Sequence, residues 1–288
     1  PKHQGDAKQI CRQVVEKCWN GTYYQTSAGH FDHFWTRDFA FCAQALKRCG
    51  YKKRALQTIT WALECFMKHG RVTTHISRSG VPLDFPRMAV DSLPLFIRSL
   101  RILGAKELIK KHKTFLEIQA ARYVDLVYDD MSSLVKKEHF SSIKDHSNRM
   151  SSTYDNSMLA MLKDDLAELK LRNPLEKNDI KGAIKENFWE GEYFVEDAMR
   201  NFTITGDANT FPFWCGIFDK RMARIAIASI RKEGLDRPFP LKYTKGIPSN
   251  LIPFYDWISQ GYERNTIWVH LGLCYMDVVR SVDKKLFK

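Results

Sequence analysis

Residues 35–50, WTRDFAFCAQALKRCG, and the stretch after them, YKKRALQTITWALECFMKHG over 51–70, set out the plan of the whole chain. Phe39 to Leu46 is nearly apolar all round, whereas Lys52 to Lys68 keeps its charges to one face. A helix apolar on every side must be enclosed by protein, and an amphipathic one can face water. Gly50 stands where the first helix needs a C-terminal stop. The same two kinds of segment recur to the end of the chain. Asp6 to Cys18, Lys106 to Val127, Pro174 to Phe188 and Asp219 to Lys232 are amphipathic; Leu93 to Leu103, Ser157 to Leu162, Thr210 to Phe218 and Ile267 to Val279 are apolar. Gly104 repeats the stop after the second apolar helix. Five outer helices alternating with five inner ones give an all-α fold, an (α/α) barrel of helical hairpins.

Each inner segment is preceded by a short polar group: Thr36-Arg37-Asp38, Val90-Asp91-Ser92, Tyr154-Asp155-Asn156, Gly206-Asp207-Ala208-Asn209 and Glu263-Arg264-Asn265-Thr266. Asp38, Asp91, Asn156, Asn209 and Thr266 are separated by 53, 65, 53 and 57 residues, the long end of a helical-pair repeat. Singly, each Asp or Asn reads as a helix N-cap. Together, at one end of a ring of parallel inner helices, they would form a polar mouth, the usual place for a ligand. Aromatic residues crowd the loops leading there: Trp19, Tyr23, Tyr24, Phe31, Phe34 and Trp35 before Asp38, and Phe254, Tyr255, Trp257 and Tyr262 before Ile267. Rings beside carboxylates and amides suit a sugar, whose C–H face packs on the ring while its hydroxyls hydrogen-bond.

Composition bounds the alternatives. The chain has 288 residues, 44% hydrophobic and 27% charged, ordinary for a globular protein. No apolar run reaches eighteen residues, so no membrane partner is expected. Seven cysteines without a CxxC pair read as buried thiols of a reducing, cytoplasmic compartment. The net charge of +12 is spread along the chain rather than gathered in a stripe, which argues against a nucleic-acid partner. His30-Phe31-Asp32-His33 has metal-ligand residue types but no paired spacing, and no GxGxxG, GxxxxGK[ST] or GxSxG stretch occurs, so neither metal nor cofactor is expected.

Several motifs resemble known families. Trp35-Thr36-Arg37-Asp38 resembles the WTRD motif of glucoamylase-type hydrolases and the related motif of alkaline and neutral invertases, where the Arg-Asp pair accompanies the sugar at the cleavage site. Val90-Asp91-Ser92 is similar to the start of the invertase VDSGLWW segment, whose Asp is the general acid, but Leu93-Pro94-Leu95-Phe96 follows here. In the glucoamylase group the corresponding segment binds substrate instead. Gly206-Asp207-Ala208-Asn209-Thr210-Phe211 is similar to the invertase stretch GDNRFF. Tyr262-Glu263-Arg264-Asn265-Thr266-Ile267-Trp268 is similar to YWRGPIW of the α-glucosidase and mannosylglycerate-hydrolase group, with Glu and Asn-Thr replacing Trp and Gly-Pro. The resemblance implies a six-pair barrel and an inverting α-glycosidase acting on a small saccharide.

On that reading Asp91 is the acid, and Trp35, Arg37, Asp38, Asp207, Asn209, Tyr262, Arg264 and Trp268 hold substrate. Glu263 is the base candidate within the chain. In the related groups the base follows the last motif by several tens of residues, so the reading also expects one truncated domain over 1–288, with a sixth pair and the base beyond Lys288. Two other functions stay open: a non-catalytic carbohydrate-binding protein on the same barrel, and a basic helical nucleic-acid binder.

Overall fold

The computed structural model describes residues 3–85, 87–200, 202–248, 250–259 and 261–287; Lys288 lies outside them. The chain divides into two compact units, Pro1–Arg122 with Asp165–Asn173, and Tyr123–Asp164 with Pro174–Lys288.

In the first unit, α1 (Ala7–Cys18) leads through β1 (Phe34–Trp35) into α2 (Thr36–Arg48), and α3 (Lys52–His69) returns. β2 (His75–Ile76) and β3 (Pro82–Leu83) complete a small antiparallel sheet in the order β1-β2-β3, with Trp35 opposite His75. α4 (Ser92–Leu103) follows, then α5 (Lys106–Lys111) and α6 (Lys113–Val127), which runs on into the second unit. α2 packs on α4, and α3 packs on both. Every residue of α4 from Ser92 to Leu100 is buried, and the ring of Phe96 meets Phe66 of α3 edge-on. Enclosing each Leu or Phe of that helix contributes about 1.5–3 kcal/mol, which is why its apolar composition fixes an inner position.

In the second unit, the hairpin β4 (Tyr128–Asp129) and β5 (Leu134–Val135) precedes α7 (Thr153–Glu168), whose last turn lies in the first unit. Then come α8 (Ile180–Phe188), α9 (Phe211–Trp214), α10 (Lys220–Lys232), α11 (Pro253–Ile258), α12 (Val269–Val282) and α13 (Lys284–Phe287). α12 packs on α9, α10 and α13.

The expected inner helices are α2, α4, α7, α9 and α12, and the expected outer ones are α1, α3, α5 with α6, α8 and α10. Several boundaries differ. His112 divides the third outer segment. The fourth outer helix starts at Ile180 rather than Pro174, because Asp179 caps it through the Gly182 N–H. α7 begins at Thr153, four residues early, and continues to Glu168. α9 is a single turn, begun by Pro212 and followed closely by Gly216 at φ +79°, a left-handed backbone that favours glycine. Gly104 closes α4 in the expected way, with φ +66° and the Ala105 N–H donating back to the Leu100 carbonyl. α11, inside the aromatic loop, was not foreseen.

Side-chain caps stand at three outer helices, whereas the outer helices α3 and α5 have none. Asp6, Asp179 and Asp219 cap the outer helices α1, α8 and α10 with their side chains. No side chain caps α2, α4, α9 or α12. The polar residues at those inner starts are therefore engaged elsewhere.

Candidate active site

In the first unit the site forms where β1 turns into α2. Trp35 is half-buried, and its ring stacks on His75 at 4.6 Å and 18°. Phe31 and Phe85 meet the indole edge-on at 6.1 and 6.4 Å, and both are exposed, Phe85 by 60%. His33 also stacks on His75 at 5.6 Å, and burial with His33 alongside lowers the His75 pKa. Two residues beyond Trp35, the Arg37 guanidinium donates to both oxygens of Asp91, from Nε at 2.5 Å and from a terminal nitrogen at 3.3 Å. Asp91 is fully buried at the N-terminus of α4 and Arg37 half-buried, so the pair ties the starts of α2 and α4 together. Asp38 is exposed in the first turn of α2.

In the second unit the polar residues converge on a buried ionic cluster. Lys144 is wholly buried; its ammonium lies 2.5 Å from Glu196 and 3.6 Å from Asp207, and 5.1 Å from the centre of the Tyr243 ring. Arg149 donates to Asp207 at 2.7 Å and to the Ser142 hydroxyl at 3.1 Å, and that hydroxyl donates in turn to Asp155 at 2.5 Å. Burial alone would raise the Asp207 pKa, but Lys144 and Arg149 outweigh it and hold the carboxyl below its usual range.

Glu263 stands beside this cluster, 2% exposed. It accepts from the Asp145 backbone N–H and, at 3.1 Å, from the Ser147 hydroxyl. Burial raises its pKa, although backbone donors of that loop, Lys144 and Arg149 pull the other way. The same loop carries His146, whose ring packs against Tyr255 at 5.7 Å and Tyr262 at 4.9 Å. Tyr262 meets Trp268 edge-on at 4.5 Å, and its carbonyl accepts from the indole N–H. Arg264 forms a two-pronged pair with Asp256 of α11.

Asn209 has different work. Its side-chain oxygen accepts from the Phe194 N–H at 2.7 Å, and its amide nitrogen donates to the carbonyls of Phe194 and Thr205, both at 3.0 Å. Asn156 repeats the device, accepting from the Val135 N–H at 2.8 Å and donating to the Ser152 carbonyl. These amides fasten the preceding turns to the inner helices.

The structure thus joins Trp35 to its ring cluster and Arg37 to Asp91 in one unit, and gathers Asp207, Glu263, Tyr262, Arg264 and Trp268 into neighbouring groups of the other. Sequence reading missed Lys144, Arg149 and Glu196 entirely, and quoted Asp155 only as part of a helix start. His75 and His146 were also missed. For Lys144, His146 and Arg149 the one sequence signal is the richness of 139–149 in His, Lys, Asp and Arg without a helical period.

No family model matches the chain, and no curated protein does. Solved structures match across nearly all of it. A glycoside hydrolase family 63 mannosylglycerate hydrolase from Thermus thermophilus in complex with glucose is 13% identical with a TM-score of 0.67, covering 98% of this chain and 88% of that one. A glycosidase variant in complex with glucose is 12% identical with a TM-score of 0.66, covering 99% and 83%. A rhamnosidase from Klebsiella oxytoca with rhamnose bound is 11% identical with a TM-score of 0.65, covering 98% of this chain and 53% of that one. The chain has the helical (α/α)-barrel fold that these glycosidases share.

Proposed function

We propose that the protein is a glycoside hydrolase cleaving an α-linked glucoside or related small saccharide, with inversion. The observation that carries this reading is the Trp35 ring, held by His75 and edged by exposed Phe31 and Phe85, directly before Arg37 and Asp38. An indole face takes the C–H face of a pyranose, and the two charged residues take its hydroxyls. The fold shared with glycosidases supports it.

For proton transfer we assign Glu263, in the acid role rather than as the base candidate within the chain. Acid and base are distinguished by environments that drive their proton affinities apart, and burial drives Glu263 up while Lys144 and Arg149 drive Asp207 down. Asp91, gripped on both oxygens, serves better as the anchor of Arg37 than as a proton donor. A panel of small α-glucosides with wild type, Glu263→Gln and Asp91→Asn tests this. Loss of kcat in Asp91→Asn alone would return the acid role to Asp91.

One observation favours a second reading, a carbohydrate-binding protein without turnover: Asp91 and Glu263 both have their oxygens engaged by partners within the protein. A melting shift with sugars and no hydrolysis of the panel would select it.

A further inference from the structure

Trp35 and His75 face each other directly across the β1–β2 pair, and their rings lie 4.6 Å apart at 18°. The imidazole is also parallel to that of His33, 5.6 Å away at 4°. His75 is 7% exposed, and its Nδ1 atom, shut off from solvent, has no hydrogen-bond partner among the described residues. A buried nitrogen without a partner costs stability. A phenylalanine would also stack on the indole, and it would leave no polar atom stranded. Histidine is thus the costlier residue at this position, and what it adds over a phenyl ring is a proton that can come and go near neutral pH.

The two protonation states of that ring suit the stack unequally. Burial and His33 alongside hold the His75 pKa below its ordinary 6.5, so the ring is neutral at pH 7.5. A protonated imidazole donates from both nitrogens, and Nδ1 would then be a charged donor facing no acceptor. The charges around it are set unevenly. Asp84, directly after β3, attracts the protonated ring, while its own oxygens accept from the Thr74 N–H at 3.2 Å and face Arg71 at 3.2 Å. His33 repels it, and Asp32 is engaged with His33 at 3.7 Å and with Arg78. A proton on His75 therefore favours a ring turned from the indole toward Asp84. We propose that His75 is the positioning residue of the Trp35 ring and holds the indole in its stacked orientation only while the imidazole is neutral. Resting on the reading of Trp35 as a sugar platform, the consequence is a sugar affinity that falls on acidification.

The test follows the indole N–H resonance of Trp35, identified by its loss in Trp35→Phe, in the full chain from pH 8 to pH 5, with glucose affinity measured by calorimetry at each end. In wild type the resonance should move with a midpoint below 6.5, and glucose should bind about tenfold more weakly at pH 5 than at pH 8. His75→Phe keeps a ring and cannot titrate, so its resonance and affinity should stay level. His75→Ala should bind glucose weakly at both ends. A wild-type Trp35 resonance that ignores pH would overturn the proposal, and so would a His75→Phe chain that titrates as wild type does. Failure of the sugar reading looks different: no glucose binding at either pH, while the Trp35 resonance still titrates in wild type and not in His75→Phe.

Discussion

Two arrangements of arginine and aspartate, both at the starts of inner helices, differ in their surroundings. Arg37 and Asp91 pair directly, with the cation half-buried beside exposed rings. Lys144 and Arg149 serve Glu196 and Asp207 directly, with Asp155 and Glu263 close enough to act on Arg149, and all of these are buried. The first sets one guanidinium against both oxygens of one carboxylate. In the second, several buried carboxyls share two cations, and at Glu263 burial outweighs the backbone donor, Lys144 and Arg149 and raises the proton affinity. An anchoring pair and a proton reservoir are thus built from the same residue types, and their ratio and burial decide which results.

The sharpest way to break this contrast is Glu263→Gln. It keeps the shape and removes the proton, and kcat should fall roughly 10²–10⁴-fold with little change in KM if Glu263 transfers it. Steady-state kinetics on the α-glucoside panel reads the result, and unchanged kcat would leave Glu263 as a fastener of the Asp145–Ser147 loop. Next comes Lys144→Met, which keeps the bulk but strips a wholly buried cation from two carboxylates. Breaking a buried ionic cluster on one side costs about 3–5 kcal/mol, measurable as a lower urea midpoint. A loss under about 1 kcal/mol, the range of an exposed pair, would mean that the cluster is not the charged assembly described. Asp91→Asn should do less: Arg37 loses a charged partner and keeps a hydrogen-bonding one, so sugar affinity should drop about tenfold, or about 1.4 kcal/mol, with kcat within a few-fold.

The smallest effect is in pH dependence. A carboxyl whose folded pKa is raised favours the folded state fully below its unfolded value, and that contribution is lost as pH rises through the folded value. Wild type should therefore lose stability relative to Glu263→Gln as pH climbs from the ordinary 4.5 toward neutrality. Asp207, with a lowered pKa, works in the opposite sense and only below the ordinary 3.8. Paired urea titrations at pH 4.5 and 7.5 compare the two proteins, and parallel curves would remove Glu263 from the reservoir.

The fold was legible because enclosure on all sides leaves a mark in composition: α4 is buried almost residue by residue and reads as an apolar run. α9 and α8 were misjudged at their ends, where Pro212, Gly216 and Asp179 set local limits that an apolar stripe does not show. At the site, the sequence pointed to the starts of the inner helices but not to the work done there. Asn209 and Asn156 match any polar ligand in pattern, yet each holds a turn. Lys144 and Arg149 lie outside any helix, and their carboxylate partners are 52 and 58 residues away, a pairing no local period encodes.

The bond from Glu263 to the Asp145 backbone bears on how the protein is made. The two residues are 118 apart in the chain. At about 5–20 residues added per second, a ribosome delivers Glu263 roughly ten seconds after Asp145. Throughout that interval the loop bearing His146 lacks the carboxyl that fixes it, and Glu196 and Asp207, 52 and 58 residues after Lys144 and Arg149, are made about midway through it. The carboxylates that meet the cations are thus made before the one that fastens the loop, so a nascent chain stalled short of Glu263 should present its 145–147 segment to proteases.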